Sequence, residues 1–325
     1  MRDELVWCVL GAFVIDLLLG DPRWFPHPVR LIGWTAIGLE WLLTRVLGRN
    51  RFSGTVFTTL IVGGSYAAVW GLIWAANRVD HRLALGVSTL LLYTCFAARD
   101  LDVEGSRVYK DLKRGDLGAA RLSLSMIVGR ETARLDELEI TRAAVETVAE
   151  NTVDGVVSPL IFAILGGAPL AMAFKASNTL DSMVGHRTER YFKFGWASAR
   201  LDDVLNFVPA RLARLLYPIA SFVCGLSVAN CWRIVWRDGL KSPSPNAGIS
   251  EAAVAGALGV RLGGVNYYQG MELFRPHLGD STRPLERRDI RRAVHMMYAT
   301  AVLVLFLLLA VRILLVTTQP WKHLS

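Results

Sequence analysis

The sequence predicts an all-α, polytopic integral membrane protein with about five to six membrane segments, helical cytoplasmic loops and a re-entrant helical hairpin as one reading of its middle. Three observations lead there. Of the 325 residues, 53% are hydrophobic and 20% charged, against about 45–50% and about 25% in soluble domains. The mean hydropathy is +0.36. The apolar residues are gathered into blocks that approach the ~20 residues needed to cross a bilayer as a helix. Together these exclude a disordered chain, a secreted disulfide scaffold and an ordinary soluble enzyme. Lys and Arg number 36 against 28 Asp and Glu, a formal net charge of +8. In a membrane protein that excess reads as positively charged cytoplasmic loops, with anionic substrates as a second cause, and not as a nucleic-acid surface. Cys8, Cys95, Cys224 and Cys231 lie in or beside apolar segments without metal-ligand spacing and read as buried free thiols.

The elements follow in order. Residues 5–19 form a retained first span, apolar except for Asp16, closed by the turn Gly20-Asp21-Pro22. A Pro/His-rich stretch leads into 31–47, whose helical spacing broken by Glu40 and Arg45 suits an interfacial helix. Residues 55–76 are a full span and 83–98 a marginal one, joined by the polar link 77–82. The stretch 99–155 is charged and helix-favouring, with Gly115-Asp116 as a turn, and reads as a water-exposed helical insert. In it Glu146, Glu150 and Asp154 recur at i, i+4 and i+8 on one side of a helix.

Residues 156–176 are apolar but interrupted by Gly166-Gly167-Ala168-Pro169. Each half is about ten residues, roughly 15 Å of helix, so either a re-entrant hairpin or a single broken span is implied; such breaks are tolerated where protein or water lines them. Polar residues 177–203, an apolar stretch 204–232, a long Gly-, Pro- and Arg-rich loop 233–292 and a final span 293–318 complete a single integral membrane domain over 1–325.

The chemistry is carried by a repeated motif. Asn151-Thr152-Val153-Asp154-Gly155-Val156-Val157 and Asn178-Thr179-Leu180-Asp181-Ser182-Met183-Val184 share the pattern Asn-Thr-apolar-Asp-small-apolar-Val. One copy precedes the broken apolar segment and one follows it. Asn and Asp three apart share a helix face, and a hairpin would join the copies at its open end. Asp154, Asp181, Asn151 and Asn178, with Glu150 and Glu146 one and two turns upstream of Asp154, then offer oxygen-only ligands of the kind Mg²⁺ takes alongside substrate phosphates. Helix capping is the alternative use of these residue types. Lys175, His186, Arg187, Arg190 and Arg200 crowd the second copy as phosphate ligands would, or as positive-inside anchors. Asp21, His27 and Arg30 flank prolines. No phosphate loop, dinucleotide fingerprint, zinc-protease motif or nucleophile elbow is present in the sequence.

These blocks are similar to a known family. Asp16-Leu17-Leu18-Leu19-Gly20-Asp21-Pro22, Pro26-His27-Pro28-Val29-Arg30-Leu31-Ile32-Gly33, Ala149-Glu150-Asn151-Thr152-Val153-Asp154-Gly155, Asn178 through Gly185, Ala197-Ser198-Ala199-Arg200-Leu201-Asp202-Asp203 and Ser244-Pro245-Asn246-Ala247-Gly248 closely resemble the adenosylcobinamide-phosphate synthases. These are integral membrane enzymes of late cobalamin biosynthesis. The resemblance runs from about residue 10 to about residue 290 and departs at Ile249-Ser250, where Trp-Pro is expected. It implies a ligase of the inner membrane, active-site loops cytoplasmic, that joins a propionate carboxylate of adenosylcobyric acid to aminopropanol phosphate with ATP and Mg²⁺. It also implies membrane lipid and other cobalamin-pathway membrane enzymes as partners. On that chemistry Asp154, Asp181, Asn151, Asn178 and Glu146 would hold the metal, and Glu150 would ligate or accept the proton of the attacking ammonium. Lys175, Arg187 and Arg200 would bind phosphate; His27 and Arg30 would meet the corrin side chains or the aminopropanol phosphate. A metal-dependent prenyl- or phosphoalcohol transferase, and a membrane sensor or transporter, are the competing readings. A transporter would carry polar residues at the midplane of several spans, whereas here they gather at span ends and in loops.

Overall fold

The computed structural model describes residues 2–22, 24, 27–186, 188–268 and 270–317. In chain order the helices are α1 (Arg2–Leu19), α2 (Pro28–Leu47), α3 (Arg51–Val79), α4 (His81–Tyr93), α5 (Ala98–Lys113), α6 (Leu117–Ser125) and α7 (Glu137–Thr152). A π-helical turn (Val153–Val157) leads into α8 (Ser158–Val184), followed by α9 (Trp196–Leu205), α10 (Phe207–Val223), α11 (Val228–Asp238) and α12 (Ala247–Leu258). A hairpin of β1 (Leu262–Tyr268) and β2 (Met271–Leu278) precedes α13 (Arg288–Thr317). Among the described residues four helical stretches are long and apolar enough to cross a membrane: Arg51–Val79, His81–Lys113, Glu137–Val184 and Arg288–Arg312. The fold is therefore that of an all-α polytopic membrane protein, with one small hairpin added. Residues 5–19 lie in α1, where Arg2, Asp3, Glu4 and Asp16 dilute the apolar run. The apolar stretch 204–232 is not continuous, because α10 ends at Val223 and α11 starts at Val228.

The chain divides into two compact units: 1–97, 158–205 and 305–325 in the first, 98–157 and 206–304 in the second. In the first unit, local chemistry sets the helix starts. Asn50 and Ser53 form a reciprocal capping box at α3. Asp80 accepts from the amides of Arg82 and Leu83 and so starts α4 directly after α3 ends. Helix α8 packs on α3, α4 and α9. It does not run straight. Gly166 and Gly167 leave helical geometry, Gly167 with φ of 66°, a conformation open to glycine at little cost. Phe162 and Phe174 stack with ring centroids 5.0 Å apart, whereas twelve residues of straight helix would separate them by about 18 Å. The chain therefore reverses at Gly166-Gly167, with Pro169 in the first turn of the returning arm. Of the two readings left open by the sequence, the helical hairpin is the one observed.

In the second unit, Asp136 and Glu139 cap α7 reciprocally, and most of α7 is buried, unlike the water-exposed helix its charges suggested. The stretch 233–292, expected as a long loop, contains the end of α11, all of α12 and the hairpin. Helix α12 is buried along its whole length and packs against α10, α11 and α7; at twelve residues it falls short of a span, which is why its composition did not announce it. The hairpin is antiparallel, with Gly264 opposite Arg275, Asn266 opposite Leu273 and a register shift between Leu262 and Gly264. Two strands alone are marginal in water, and this pair is held at its far end by α11: Gly279 donates to Asp238 Oδ2 at 2.8 Å. Arg237 and Lys241 also engage the fully buried Asp238. Burial by itself would raise this carboxyl, but the hydrogen bonds from Arg237, Lys241 and Gly279 outweigh it and hold it below the usual range. Since its folded pKa lies below its unfolded one, the stabilisation is present above about pH 4 and lost as pH falls further. Asp238→Asn is accordingly expected to lower unfolding midpoints at pH 7 and to converge with wild type under acid titration; parallel curves down to the lowest pH would exclude this role.

Candidate functional site: a buried carboxylate and arginine cluster

The first Asn-Thr-Asp copy ends α7 and enters the π turn. Asn151 donates Nδ2 to Thr147 O at 2.9 Å, so that its Oδ1 is the acceptor it would offer a ligand. In the π turn hydrogen bonds span five residues instead of four, so Asp154 leaves the α-helical register that the i, i+4, i+8 spacing assumed. Asp154 stands within electrostatic reach of the Tyr217 phenol on α10, whose other polar neighbours are Thr152 and Ser250. Both of those hydroxyls donate to their own helices, at Val148 O and Ala247 O.

Glu146, expected among the metal ligands, has partners of its own. It is 2% exposed, and both its oxygens are occupied: Oε2 accepts from Arg130, Oε1 accepts from the Gly263 amide at 2.8 Å, and Arg142 stands 3.7 Å away. With one hydrogen bond on each oxygen and Arg142 beside it, Glu146 anchors the hairpin; each oxygen keeps a second lone pair, and the neighbouring guanidinium groups oppose a cation there. Arg142 extends the anchor by donating to Gly263 O and Val265 O, and Arg130 donates to Asn266 Oδ1 at 2.6 Å.

Above this anchor, Glu150 is half-buried and within electrostatic reach of Arg275, Arg130 and Glu251. Glu251 is the single charged residue of α12 and is 4% exposed. Its nearest cation is Arg275 of β2, at 3.6 Å, too long for a hydrogen bond. Burial pushes the Glu251 carboxyl well up, with the charges of Glu150 and Glu146 adding to it. Three glutamates and three arginines from α7, α12, the hairpin and the turn before α7 thus share one core. It can bind opposite charges close together and can accept or hold a proton at Glu150.

The second copy lies in the first unit, on the returning arm of α8. Asn178 Nδ2 stands 3.4 Å from Asp202 Oδ1 of α9. Gly185 lies so close that a Cβ there would fall 1.9 Å from Asp181 Oδ1. Lys175 is half-buried, without an ion pair among the described residues, and stands within electrostatic reach of His27. His27 Nδ1 accepts from Val29 N at 3.2 Å and caps α2. Burial, joined by the charges of Lys175 and Arg30 and opposed by Asp21, lowers its pKa and keeps the ring neutral. Arg30 is exposed, and Arg200 is exposed with Asp203 3.7 Å away. Arg187 lies outside the described residues. The copies thus belong to different units, Asn151 and Asp154 to one, Asn178 and Asp181 to the other.

The donors offered by each copy are oxygens, with no thiol or imidazole. Among the described residues no group of three or more His, Cys, Asp or Glu could cage a metal ion. That set fits Mg²⁺ bound through one or two carboxylates and completed by water and substrate phosphates.

The family profile described as CobD/Cbib protein matches residues 9–297. The chain belongs to the CobD/CbiB family. It is 52% identical over 310 residues to the cobalamin biosynthesis protein CobD of Geobacter metallireducens, covering 95% of this chain and 98% of that one. It is 46% identical over 304 residues to the CobD of Pelobacter propionicus, covering 94% of each. It is 44% identical over 311 residues to the cobalamin biosynthesis protein CbiB of Salmonella typhimurium, covering 95% of this chain and 97% of that one. No solved structure matches the chain. In this CobD/CbiB member, Arg130, Arg142, Tyr217, Glu251, Asn266 and Arg275 are the residues of the candidate site that motif reading missed. One signal was available: Glu251 interrupts an otherwise uncharged run, and a lone acid in such a run marks a functional position by default.

Proposed function

We propose that this chain is an adenosylcobinamide-phosphate synthase, forming an amide between a propionate carboxylate of adenosylcobyric acid and the amine of aminopropanol phosphate. Membership of a cobalamin biosynthesis family supports the pathway, and the resemblance of the sequence blocks supports the step. The observation that carries the chemical reading is the mixed cluster around Glu150, where carboxylates and guanidinium groups meet in one buried place. A free carboxylate is a poor acyl donor, so ATP would activate it, most simply as an acyl phosphate. Mg²⁺, held by the Asp of an Asn-Thr-Asp copy, would supply charge neutralisation for phosphoryl transfer. Asn151 with Asp154 is one pair that would hold it and Asn178 with Asp181 is another, each within its own unit. Glu150 would take the proton of the attacking ammonium, with Arg130 and Arg275 holding its charge in place. Lys175, Arg187 and Arg200 would bind phosphate; His27, neutral and capping α2, would position the adjacent Arg30. The protein would sit in the inner membrane with these loops facing the cytoplasm, where other membrane enzymes of the pathway hand over corrinoid.

The test is turnover by detergent-purified protein given adenosylcobyric acid, aminopropanol phosphate, ATP and Mg²⁺, with the amide followed by mass. Glu150→Gln is expected to lose about 10²-fold or more, as removal of a general base does. Asp154→Ala, Asp181→Ala and chelation of Mg²⁺ should each abolish product. A folded wild type that makes no amide with every substrate present would overturn the reaction; full activity in Glu150→Gln would remove its role.

A further inference from the structure

Two polar atoms of the cluster have no partner. Glu251 Oε1 accepts no hydrogen bond, and Asn266 Nδ2 donates none, although Glu251 is 4% and Asn266 2% exposed. Buried polar groups are nearly always satisfied, and each exception needs a reason. Here the two orphans have opposite polarity: one acceptor on α12 and one donor on β1. Arg275 belongs with them. It stands opposite Gly264 in the register, two positions along from the Asn266–Leu273 pair, so Arg275 and Asn266 share a face of the hairpin and are diagonal neighbours within reach of a long side chain. The Glu251–Arg275 contact of 3.6 Å leaves both charges short of a hydrogen bond. The pair is reached from solvent through Arg275, whose side chain is partly exposed, and through half-buried Glu150.

Building on the proposed reaction, we propose that the Glu251–Arg275 pair is the receptor for a zwitterionic aminoalkyl phosphate, with the ammonium on Glu251 and the phosphate on Arg275 and Asn266 Nδ2. A zwitterion with its charges a few bonds apart is the complement of a loosely spaced acid and guanidinium. It lies across the pair, supplies the missing donor to Glu251 Oε1 and the missing acceptor to Asn266 Nδ2, and brings no net charge into the core. A simple cation suits the place less well: the glutamates do not form a metal cage, and the arginines oppose one. The ammonium is thereby set beside Glu150, and the phosphate end is held by the hairpin.

Calorimetric titration of the purified full-length protein tests this with three probes: O-phosphoethanolamine, ethyl phosphate without the amine, and ethanolamine without the phosphate. Wild type should bind O-phosphoethanolamine about tenfold or more tighter than either fragment, the return on a charged hydrogen bond. In Glu251→Gln the affinity for O-phosphoethanolamine should fall to that of ethyl phosphate, whose own affinity stays unchanged. In Arg275→Gln it should fall to that of ethanolamine. If Glu251→Gln does not fold, a hydrophobic carbodiimide on wild type decides: the Glu251 adduct, read by peptide mass, should be blocked by O-phosphoethanolamine and not by ethyl phosphate. Equal affinity of wild type for the three probes, equal loss of both phosphates in Glu251→Gln, or absent protection overturns the subsite. The titration needs neither ATP nor corrinoid. A protein that shows the pattern but makes no amide keeps the subsite and loses the reaction; one that makes the amide with a flat pattern does the reverse.

Discussion

Arg130→Leu is expected to destabilise the protein by about 3 kcal/mol or more, the usual consequence of stripping one partner from a buried ion pair. The side chains of Arg130 and Glu146 are 6% and 3% exposed, so water cannot replace the lost guanidinium. Asn266 loses its hydrogen bond from Arg130 as well. Arg142 and the Gly263 amide remain on Glu146 Oε1, which limits the loss but leaves Oε2 stranded. The double variant Arg130→Leu/Glu146→Leu should recover part of it, because the buried charge goes with its partner; recovery is incomplete, since the Gly263 amide then lacks an acceptor. Reversible unfolding in mixed detergent micelles would measure both variants. A single variant within about 0.5 kcal/mol of wild type, the range of ordinary surface changes, would show that the pair does not hold the hairpin.

The second large effect is steric. Gly54→Ala would place a Cβ 1.9 Å from Phe194 O and 2.8 Å from Phe194 C. These are backbone atoms, so no rotamer change relieves the clash, and α3 must move away from the segment that follows the second motif. That contact also includes the Phe57–Phe194 rings at 5.0 Å and the buried Thr58–Ser198 hydroxyl pair at 2.8 Å. Overpacking typically costs about 1–3 kcal/mol and occasionally more; with an immovable backbone partner the upper end is expected. Gly63→Ala and Gly64→Ala, on the same helix, meet nothing within 4 Å, and should be neutral or gain up to about 1 kcal/mol of helix propensity. Monodispersity after extraction and proteolysis across residues 186–195 would separate these outcomes. Equal behaviour of the three variants would mean that α3 does not approach Phe194 this closely.

The features legible in the sequence are those written in neighbouring residues. Gly166-Gly167-Ala168-Pro169 announces a break in an apolar run, and the break is where the chain turns back. Segments such as 55–76 need only length and composition. The cluster is different in kind. Glu146 reads as one of a row of carboxylates suited to a metal until Gly263, 117 positions later, comes to lie against it, and no periodicity encodes that meeting. The hairpin was hidden because its strands carry Gly263, Gly264 and Pro276, which read as loop chemistry, and because pairing of strands is decided between segments. Glu251 was passed over for a related cause: its helix is too short to look like a span and too apolar to look like a soluble helix.

The reach of these clasps also orders the assembly of the chain. Arg130 to Asn266 spans 136 positions and Glu146 to Gly263 spans 117. Closing such loops costs entropy before any contact repays it, and pairings this remote form late. A nascent chain that has emerged only to Gly259 therefore carries Arg130, Glu146 and Glu251 without the strands that answer them. During that interval the carboxylates stay hydrated, and the unit that holds them remains open to water. Emergence of the hairpin, residues 262–278, is thus the event that dries this core, and a ribosome stalled before it should yield a chain whose α7 remains sensitive to water-borne protease.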